Sequence, residues 1–221
     1  MRLKCLTFCC GGVIVSNSIK VLLADDHPAM RIGLRVLLDQ AHDIRVVAET
    51  GDGHETLAQI IKWRPHITVL DCQLPGLSGI EVAAAVKEQQ LATKLLALSA
   101  YDTPRYQWSM LEMGARGYML KDEAPTEMVA AVRAVARGVS LWRPNQIKQV
   151  RQWQAEVQAR WQELTAKERN VLSLIASGKR NKEIALALNI TPRTVEFHVS
   201  NILAKLAVTS RVEAALWLRA Y

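Results

Sequence analysis

The sequence predicts a doubly wound α/β domain followed by a smaller, all-helical domain. Short runs rich in Val, Ile and Leu alternate five times with longer amphipathic segments between residues 19 and 138, as in a parallel sheet covered by helices. Beyond residue 163 only helical periodicity remains. Charge also divides the chain, because residues 1–140 carry 15 basic and 15 acidic side chains whereas residues 141–221 carry 13 and 6. A polyanionic partner of the second part would explain this division; the alternative is a solvated basic surface.

The composition excludes several classes of protein. Half of the 221 residues are apolar and 22% are charged, which is typical of a globular chain and not of a disordered one. The longest nearly uncharged run, Cys5 to Ile19, is shorter than the ~20 apolar residues that a membrane-spanning helix needs. Four cysteines, three of them at positions 5, 9 and 10, do not form a secreted disulfide framework. We therefore expect no association with a membrane.

The first 18 residues precede the first predicted strand and form a tail of uncertain status. Arg2 and Lys4 before an apolar stretch are typical of a signal peptide, but no A-x-A-like cleavage site follows. A misassigned translation start is the interpretation that we favour. The remaining boundaries predicted by the pattern are a first domain over 19–138, a linker over 139–163 and a second domain over 164–221.

The five strands of the first domain are predicted to be buried on both faces, because polar and apolar residues hardly alternate along them. Strict alternation with helices indicates a five-stranded, flavodoxin-like parallel sheet, in which ligands bind beyond the carboxyl ends of the strands. The predicted strands are Lys20–Ala24, Arg45–Glu49, Ile67–Leu70, Lys94–Leu98 and Gly117–Leu120, with helices at about 28–39, 53–62, 78–90, 104–113 and 125–137.

The chain after residue 138 changes character twice. Pro144 to Gln162 is polar and Gln-rich. The tryptophans at 142, 153 and 161, just before and within this segment, are interpreted as packing anchors. This linker is expected to be partly helical. The helices predicted beyond it lie at about 166–176, 181–188, 192–205 and 210–219.

Three carboxylates follow two strands that end on the same edge of the predicted sheet. Asp25 and Asp26 end the first strand and Asp71 ends the third. Close carboxylates repel, so the cluster must protonate, separate or bind a cation, and hard oxygen ligands suit Mg²⁺. Helix capping is the alternative for Asp25 or Asp26, but it explains Asp71 poorly because Pro75 and Gly76 separate that residue from the next helix.

Two further polar residues point to the same edge. Ser99 follows the fourth strand and Lys121 follows the fifth. A lysine near carboxylates can neutralise phosphate charge, and a serine hydroxyl can bond a phosphoryl oxygen. Each is weak evidence alone, but together with the carboxylates they predict a phosphoryl-transfer site in which Asp71 is the nucleophile.

The second domain contains a helix-turn-helix pattern. A turn over Asn189, Ile190 and Thr191 separates two helices, and Pro192 opens the second of them. At 100° per residue its apolar residues gather on one face, which leaves a polar outer face able to read a major groove; a merely solvated face is the alternative. The outer face and its flanks hold Arg193, Thr194, Glu196, Phe197, Ser200, Asn201 and Lys205, while Lys179, Arg180 and Lys182 are placed for DNA phosphate contacts at the preceding helix.

The run from Lys20 to about Arg137 resembles a two-component receiver domain. The matching pieces are Asp25-Asp26, Asp71 with Leu74-Pro75-Gly76 and Gly79, Ser99-Ala100, and Gly114-Ala115-x-Gly117-Tyr118-x-x-Lys121. The resemblance implies that a sensor histidine kinase phosphorylates Asp71. It further implies Mg²⁺ bound by Asp26, Asp71 and the main-chain carbonyl of Gln73, with Asp25 nearby, and a switch pair formed by Ser99 and Tyr118, whose ring turns inward.

The last 58 residues resemble the NarL/FixJ (LuxR-type) DNA-binding family. The matches include Leu164-Thr165-x-x-Glu168-Arg169, Asn181-Lys182-Glu183-Ile184-Ala185, Thr194-Val195, Ile202-Leu203, Lys205-Leu206 and Ser210-Arg211. One departure is that Glu196 stands where the family usually has a lysine, which leaves the base preference open. The last helix forms the dimer contact in the family, and Val208, Val212, Ala215 and Leu216 could form it here or belong to the core of the domain.

The two resemblances together imply a cytoplasmic, phosphorylation-controlled transcription regulator that binds double-stranded DNA as a homodimer and is not an enzyme. One alternative is a DNA-binding protein whose first domain serves only as a protein-interaction module. Another is a small-molecule phosphatase or phosphotransferase that works through an aspartyl phosphate. That class predicts Asp-x-Asp after the nucleophilic strand, whereas Cys72-Gln73 follows Asp71.

Overall fold

The computed structural model describes residues 18–220, so the predictions for the tail fall almost entirely outside the described residues. The chain forms two compact units. One comprises the described residues up to 102 together with 109–142, and the other comprises 103–108 together with 143 to the end of the described chain. Within the described residues, no helix combines the length and the apolar character that crossing a bilayer requires.

The first unit is built on a five-stranded parallel sheet, as the sequence predicts. The strand order is β2-β1-β3-β4-β5, so the order reverses between β1 and β3 and opens a crevice at the carboxyl ends of these two strands. The strands are β1 (Ile19–Ala24), β2 (Ile44–Thr50), β3 (Ile67–Asp71), β4 (Lys94–Ser99) and β5 (Gly117–Leu120).

Each strand is followed by a helix or a helical segment, which completes the doubly wound pattern. Val21, Val69 and Leu96 contribute to a buried cluster with residues of the helices that cover the sheet. Ser78 caps α3 from outside through a hydrogen bond that its Oγ accepts from the Glu81 N–H, so that helix begins one residue later than predicted. The helices are α1 (Pro28–Asp39), α2 (Gly53–Trp63), α3 (Gly79–Glu88), α4 (Pro104–Glu112) and α5 (Ala124–Ala136).

The second unit is entirely helical outside its turns. Thr191 caps the second helix of the predicted helix-turn-helix by accepting a hydrogen bond from Thr194 N–H, and Val195, Ile202 and Leu206 of that helix are fully buried in the core of the unit. The elements are α6 (Pro144–Glu163), α7 (Ala166–Ala176), α8 (Asn181–Leu188), α9 (Pro192–Leu206) and α10 (Arg211–Ala220).

The predicted linker differs most from expectation, because Pro144–Glu163 is one helix of 20 residues. Its sequence is rich in Gln, Arg and Glu, which are good helix formers, but it buries few side chains. The buried side chains of this helix are Gln146, Val150 and Val157. Such a narrow apolar stripe gives weak periodicity, which explains why the sequence indicates only partial helix.

Candidate functional site

The carboxyl ends of β1 and β3 bring together the acidic residues predicted from the sequence. Asp25 directly follows β1 and Asp71 is the last residue of β3, and each is only 2% exposed. Asp26, which follows Asp25, remains 38% exposed at the mouth of the crevice. Two buried carboxylates and one accessible carboxylate therefore share one pocket, which concentrates negative charge at the switch point of the sheet.

Lys121, the first residue after β5, lies between the two buried carboxylates. Its Nζ is 2.6 Å from Asp71 Oδ2 and 2.9 Å from Asp25 Oδ2. Burial by itself lowers the pKa of the ammonium, but the hydrogen bonds to Asp71 and Asp25 outweigh burial and raise it. Lys121 therefore stays charged and offsets part of the cost of burying two carboxylates.

Burial raises the pKa of the Asp71 carboxyl above its ordinary value. Two donors oppose this effect, because Gln73 N–H donates to Asp71 Oδ1 at 2.9 Å and Lys121 donates to Oδ2. An anionic carboxylate with few solvent contacts and a fixed orientation is suited to act as a nucleophile.

His27 belongs to the pocket, although the sequence shows it only as the residue after the acidic pair. Its Nδ1 lies 2.5 Å from Asp26 Oδ1 and 3.2 Å from Lys121 Nζ. The main-chain N–H of His27 donates to Asp25 Oδ1 at 2.7 Å. The sequence shows only that His27 is adjacent to the acidic pair, and adjacency alone does not determine the orientation of its imidazole ring.

The donor set of the pocket fits a divalent cation. Asp25, Asp26, His27 and Asp71 each offer a ligand atom, and these atoms lie within 4.8 Å of one another. Three carboxylates supply the hard oxygen donors that Mg²⁺ prefers. Gln73 is fixed beside Asp71 by its N–H; coordination by its carbonyl stays a prediction.

Ser99 and Tyr118, the predicted switch pair, meet the same segment of main chain. Ser99, at the end of β4, is buried and its Oγ accepts a hydrogen bond from Tyr101 N–H at 3.1 Å. The hydroxyl of Tyr118, from β5, donates to the carbonyl of Tyr101 at 2.6 Å. The Tyr118 ring is buried in this structure, and burial raises its pKa. Displacement of the chain at Tyr101 would thus affect both side chains.

Two neighbours complete the surroundings of the switch pair. Trp142 stacks on Tyr118 with ring centroids 6.1 Å apart, and its Nε1 donates to the Ala115 carbonyl at 2.8 Å, in agreement with its predicted packing role. Cys72 is buried next to Asp71, and burial raises the pKa of its thiol to about 12. That thiol is protonated at neutral pH, as expected of an unreactive core cysteine.

The predicted reading face of α9 is largely exposed in the second unit. Arg193, Glu196, Phe197 and Ser200 are exposed, and Phe197 leaves 64% of its surface uncovered. Thr194 and Asn201 are half-buried at the border of this face. The ring of Phe197 is therefore accessible to a partner.

Lys205 is placed differently from the other predicted DNA contacts. Its Nζ donates to Glu168 Oε2 at 2.7 Å, and Glu168 is a buried residue of α7 that also accepts from Thr165 N–H at 2.8 Å. In this structure the ammonium of Lys205 therefore joins α9 to α7 instead of standing free on the reading face. The partner lies 37 residues away in the sequence, so helical periodicity did not reveal it.

The remaining predicted contacts lie around the start of α8. Lys179, Arg180 and Lys182 are all exposed there. Arg211 of α10 donates to Asn181 Oδ1 at 3.0 Å and to the Lys179 carbonyl at 2.7 Å. Arg211 thereby fixes the turn that carries the basic residues, although the sequence identifies this residue only as a match to the family pattern.

The fold and the acidic pocket define a class of protein, a two-domain regulator with an α/β receiver domain and a helix-turn-helix domain. Comparison with known families agrees. Residues 21–133 match the response regulator receiver domain, and residues 162–218 match the bacterial regulatory proteins of the luxR family. The chain belongs to the response regulators with a LuxR-type DNA-binding domain, as its sequence predicts.

Individual relatives are similar over nearly the whole chain. The nitrate/nitrite response regulator protein NarL of Escherichia coli strain K12 is 35% identical, over 90% of this chain and 94% of that protein. The probable transcriptional regulatory protein NarL of Mycobacterium tuberculosis strain H37Rv is 37% identical, over 90% and 92%. RcsB from Salmonella enterica serovar Typhimurium, solved bound to a promoter in the presence of a phosphomimetic, is 26% identical with a TM-score of 0.66, over 92% and 99%.

Proposed function

We propose that this protein is a transcription regulator whose DNA binding is controlled by phosphorylation of Asp71. The observation that carries the proposal is the buried Asp71 carboxylate held between Lys121 and the N–H of Gln73, in a pocket with two further carboxylates. Membership of the response regulator family supports a sensor histidine kinase as the phosphoryl donor.

The transfer is a nucleophilic displacement at phosphorus. An oxygen of the Asp71 carboxylate attacks the phosphorus of a kinase phosphohistidine, a P–O bond forms as the P–N bond breaks, and the released imidazole nitrogen takes up a proton. Lys121 stabilises the charge of the entering phosphoryl group, since its ammonium lies 2.6 Å from Asp71 Oδ2. Asp25, Asp26, Asp71 and the Gln73 carbonyl would hold Mg²⁺, which neutralises phosphoryl oxygens when it is bound.

The phosphoryl group gives the pocket new acceptor oxygens, and these favour a different arrangement of the loop after β4. The Ser99 hydroxyl leaves Tyr101 N–H and turns to a phosphoryl oxygen. The Tyr118 ring, which the resemblance implies turns inward, is already buried in this structure and keeps that position. Differential binding of the two loop arrangements is what converts a local charge change into a signal.

The output of this signal is binding of duplex DNA by the second domain. The exposed face of α9 reads base edges, and Lys179, Arg180 and Lys182 contact phosphates. The protein acts as a homodimer on paired half-sites and in the cytoplasm, where kinase and DNA both occur; solved RcsB dimers bound to DNA support the dimer. The pocket accepts one phosphoryl group as a signal and does not turn over a small-molecule substrate.

The test of Asp71 is phosphoryl uptake by the full-length chain from acetyl phosphate with Mg²⁺. Asp71→Asn removes the nucleophilic carboxylate, so we expect it to abolish uptake of acid-labile phosphate. Asp39→Asn is the matched control because Asp39 is an exposed residue paired with Arg35 at the end of α1, and it should retain wild-type uptake. Persistent labelling of Asp71→Asn would remove Asp71 from its proposed role.

A further inference from the structure

The exposed face of α9 carries an anionic and an aromatic side chain, although a surface that binds a polyanion is expected to carry cationic side chains. Glu196 and Phe197 are both exposed, and they are adjacent, so they lie about 100° apart around the axis. Arg193 lies one turn before them and Ser200 one turn after. These four residues form a contiguous patch, which we call the reading patch.

The carboxylate of Glu196 is available to an outside partner. In the part of the chain that the structure describes, it has no ion pair and no hydrogen bond, although Arg193 stands three residues away. Besides the helical hydrogen bonds, the main-chain carbonyl of Glu196 accepts from Ser200 Oγ at 3.1 Å. Phe197 touches His198 edge-on, with centroids 6.0 Å apart, and otherwise faces outward. The reading patch is therefore not consumed by contacts within the domain.

A free carboxylate near duplex DNA is repelled by phosphates unless it meets a hydrogen-bond donor. The major groove offers two such donors, the N4 amino group of cytosine and the N6 amino group of adenine. Acceptors flank the adenine amino group on both sides, N7 of adenine and O4 of thymine, and both repel a carboxylate. The cytosine amino group has an acceptor on one side alone, guanine O6, so a carboxylate accepts more readily from cytosine N4. Phe197 has no polar atom and matches the one apolar group of the groove, the methyl group of thymine.

We propose that Glu196 selects a cytosine in each half-site and that Phe197 selects a thymine at a neighbouring base pair. The inference rests on the proposed function, because it assumes that α9 enters the major groove. It adds the bases that this helix requires. Glu196 acts as a discriminating residue, since its charge weakens binding to every site that lacks the cytosine amino group.

The test is selection of DNA from a random duplex library by full-length protein treated with acetyl phosphate and Mg²⁺. We expect the wild-type motif to contain one position per half-site occupied by cytosine, with about tenfold discrimination against other bases. Glu196→Ala should lose that preference and keep the other positions. Glu196→Gln should move it toward adenine, because an amide can bond both N6 and N7. Glu163→Ala, with the same charge change at an exposed residue of α6, should select the wild-type motif.

The proposed contact of Phe197 with thymine is tested by a separate binding measurement. Replacing the selected thymine by deoxyuridine removes only the methyl group, so it should weaken binding of the wild-type protein several-fold and leave Phe197→Ala unaffected. A motif that is identical for wild type, Glu196→Ala and Glu196→Gln would overturn the assignment of Glu196 while leaving the proposed function intact. Selection of no DNA motif by the wild-type protein would overturn both.

Discussion

At the scale of single residues, Lys121 balances the charge of the pocket. Two carboxylates that are 2% exposed share one ammonium, and removing one partner of such a cluster leaves uncompensated buried charge. We therefore expect the pocket to depend on Lys121 for stability, in addition to its proposed role in phosphoryl binding.

Lys121→Met keeps the aliphatic stem and removes the charge, so we expect it to lower the free energy of unfolding by about 3 kcal/mol. Mg²⁺ should restore more stability to this variant than it adds to the wild type, because the carboxylates then have no competing ammonium. Urea unfolding with and without Mg²⁺ measures both effects. Lys20→Met, at an exposed position of β1, is the control, and equal responses of the two variants would contradict this role.

The second unit also contains a buried charge, the carboxylate of Glu168. Burial alone would raise the pKa of its carboxyl, but the bonds from Lys205 and Thr165 outweigh burial and lower it. Its stabilising contribution is therefore present above the ordinary value of 4.5 and is lost as pH falls through the lowered pKa of the folded state.

Glu168→Gln should be less stable than wild type by about 1–3 kcal/mol at neutral pH. The difference should shrink in acid, since the wild type then loses the contribution that the variant never had. Urea unfolding of the full-length chain from about pH 7 down to about pH 4 measures the difference. A difference that stays constant over this range would show that ionised Glu168 does not provide the stability.

At the scale of elements, the turn between β3 and α3 holds Asp71 in place through a close approach of two main-chain segments. A Cβ on Gly79 would lie 2.0 Å from the Asp71 carbonyl oxygen, which no relaxation of a side chain relieves. The first residue of α3 must therefore be glycine for Asp71, the proposed nucleophile, to keep its position.

Gly79→Ala should displace the end of β3, reduce phosphoryl uptake from acetyl phosphate by at least about tenfold and destabilise the receiver by about 1–3 kcal/mol. Gly33→Ala is the matched control in α1, where an added Cβ meets nothing within 4 Å, and it should stabilise the helix by about 0.5–1 kcal/mol. Normal uptake by Gly79→Ala would show that the turn tolerates a shift.

The elements and the centre of the pocket could be predicted from the sequence, because strand-helix alternation and the rule for parallel sheets place Asp25, Asp71 and Lys121 on one edge. Contacts that arise only when segments distant in the sequence meet could not be predicted in this way. The orientation of His27 and the pairing of Lys205 with Glu168 depend on tertiary packing, which periodicity does not encode. The full length of α6 was not predicted for a different reason: few of its side chains are buried, so its apolar periodicity is weak.

At the scale of the whole molecule, the two domains differ in net charge. Residues 1–140 are balanced and residues 141–221 carry the entire net charge of +7. Nonspecific attraction to DNA phosphates therefore belongs to the second domain and should weaken with salt. Under the proposed function, control comes from the first domain, where a phosphoryl group on Asp71 would change the charge of a buried pocket.

The most direct measurement is the affinity of the full-length protein for its selected DNA before and after treatment with acetyl phosphate and Mg²⁺. We predict that phosphorylation tightens binding of the wild type by about 5- to 150-fold, the usual range of coupling between two sites, and that Asp71→Asn shows no gain. Equal affinity of the phosphorylated and unphosphorylated wild-type protein, with unchanged oligomeric state, would contradict control of DNA binding by the pocket.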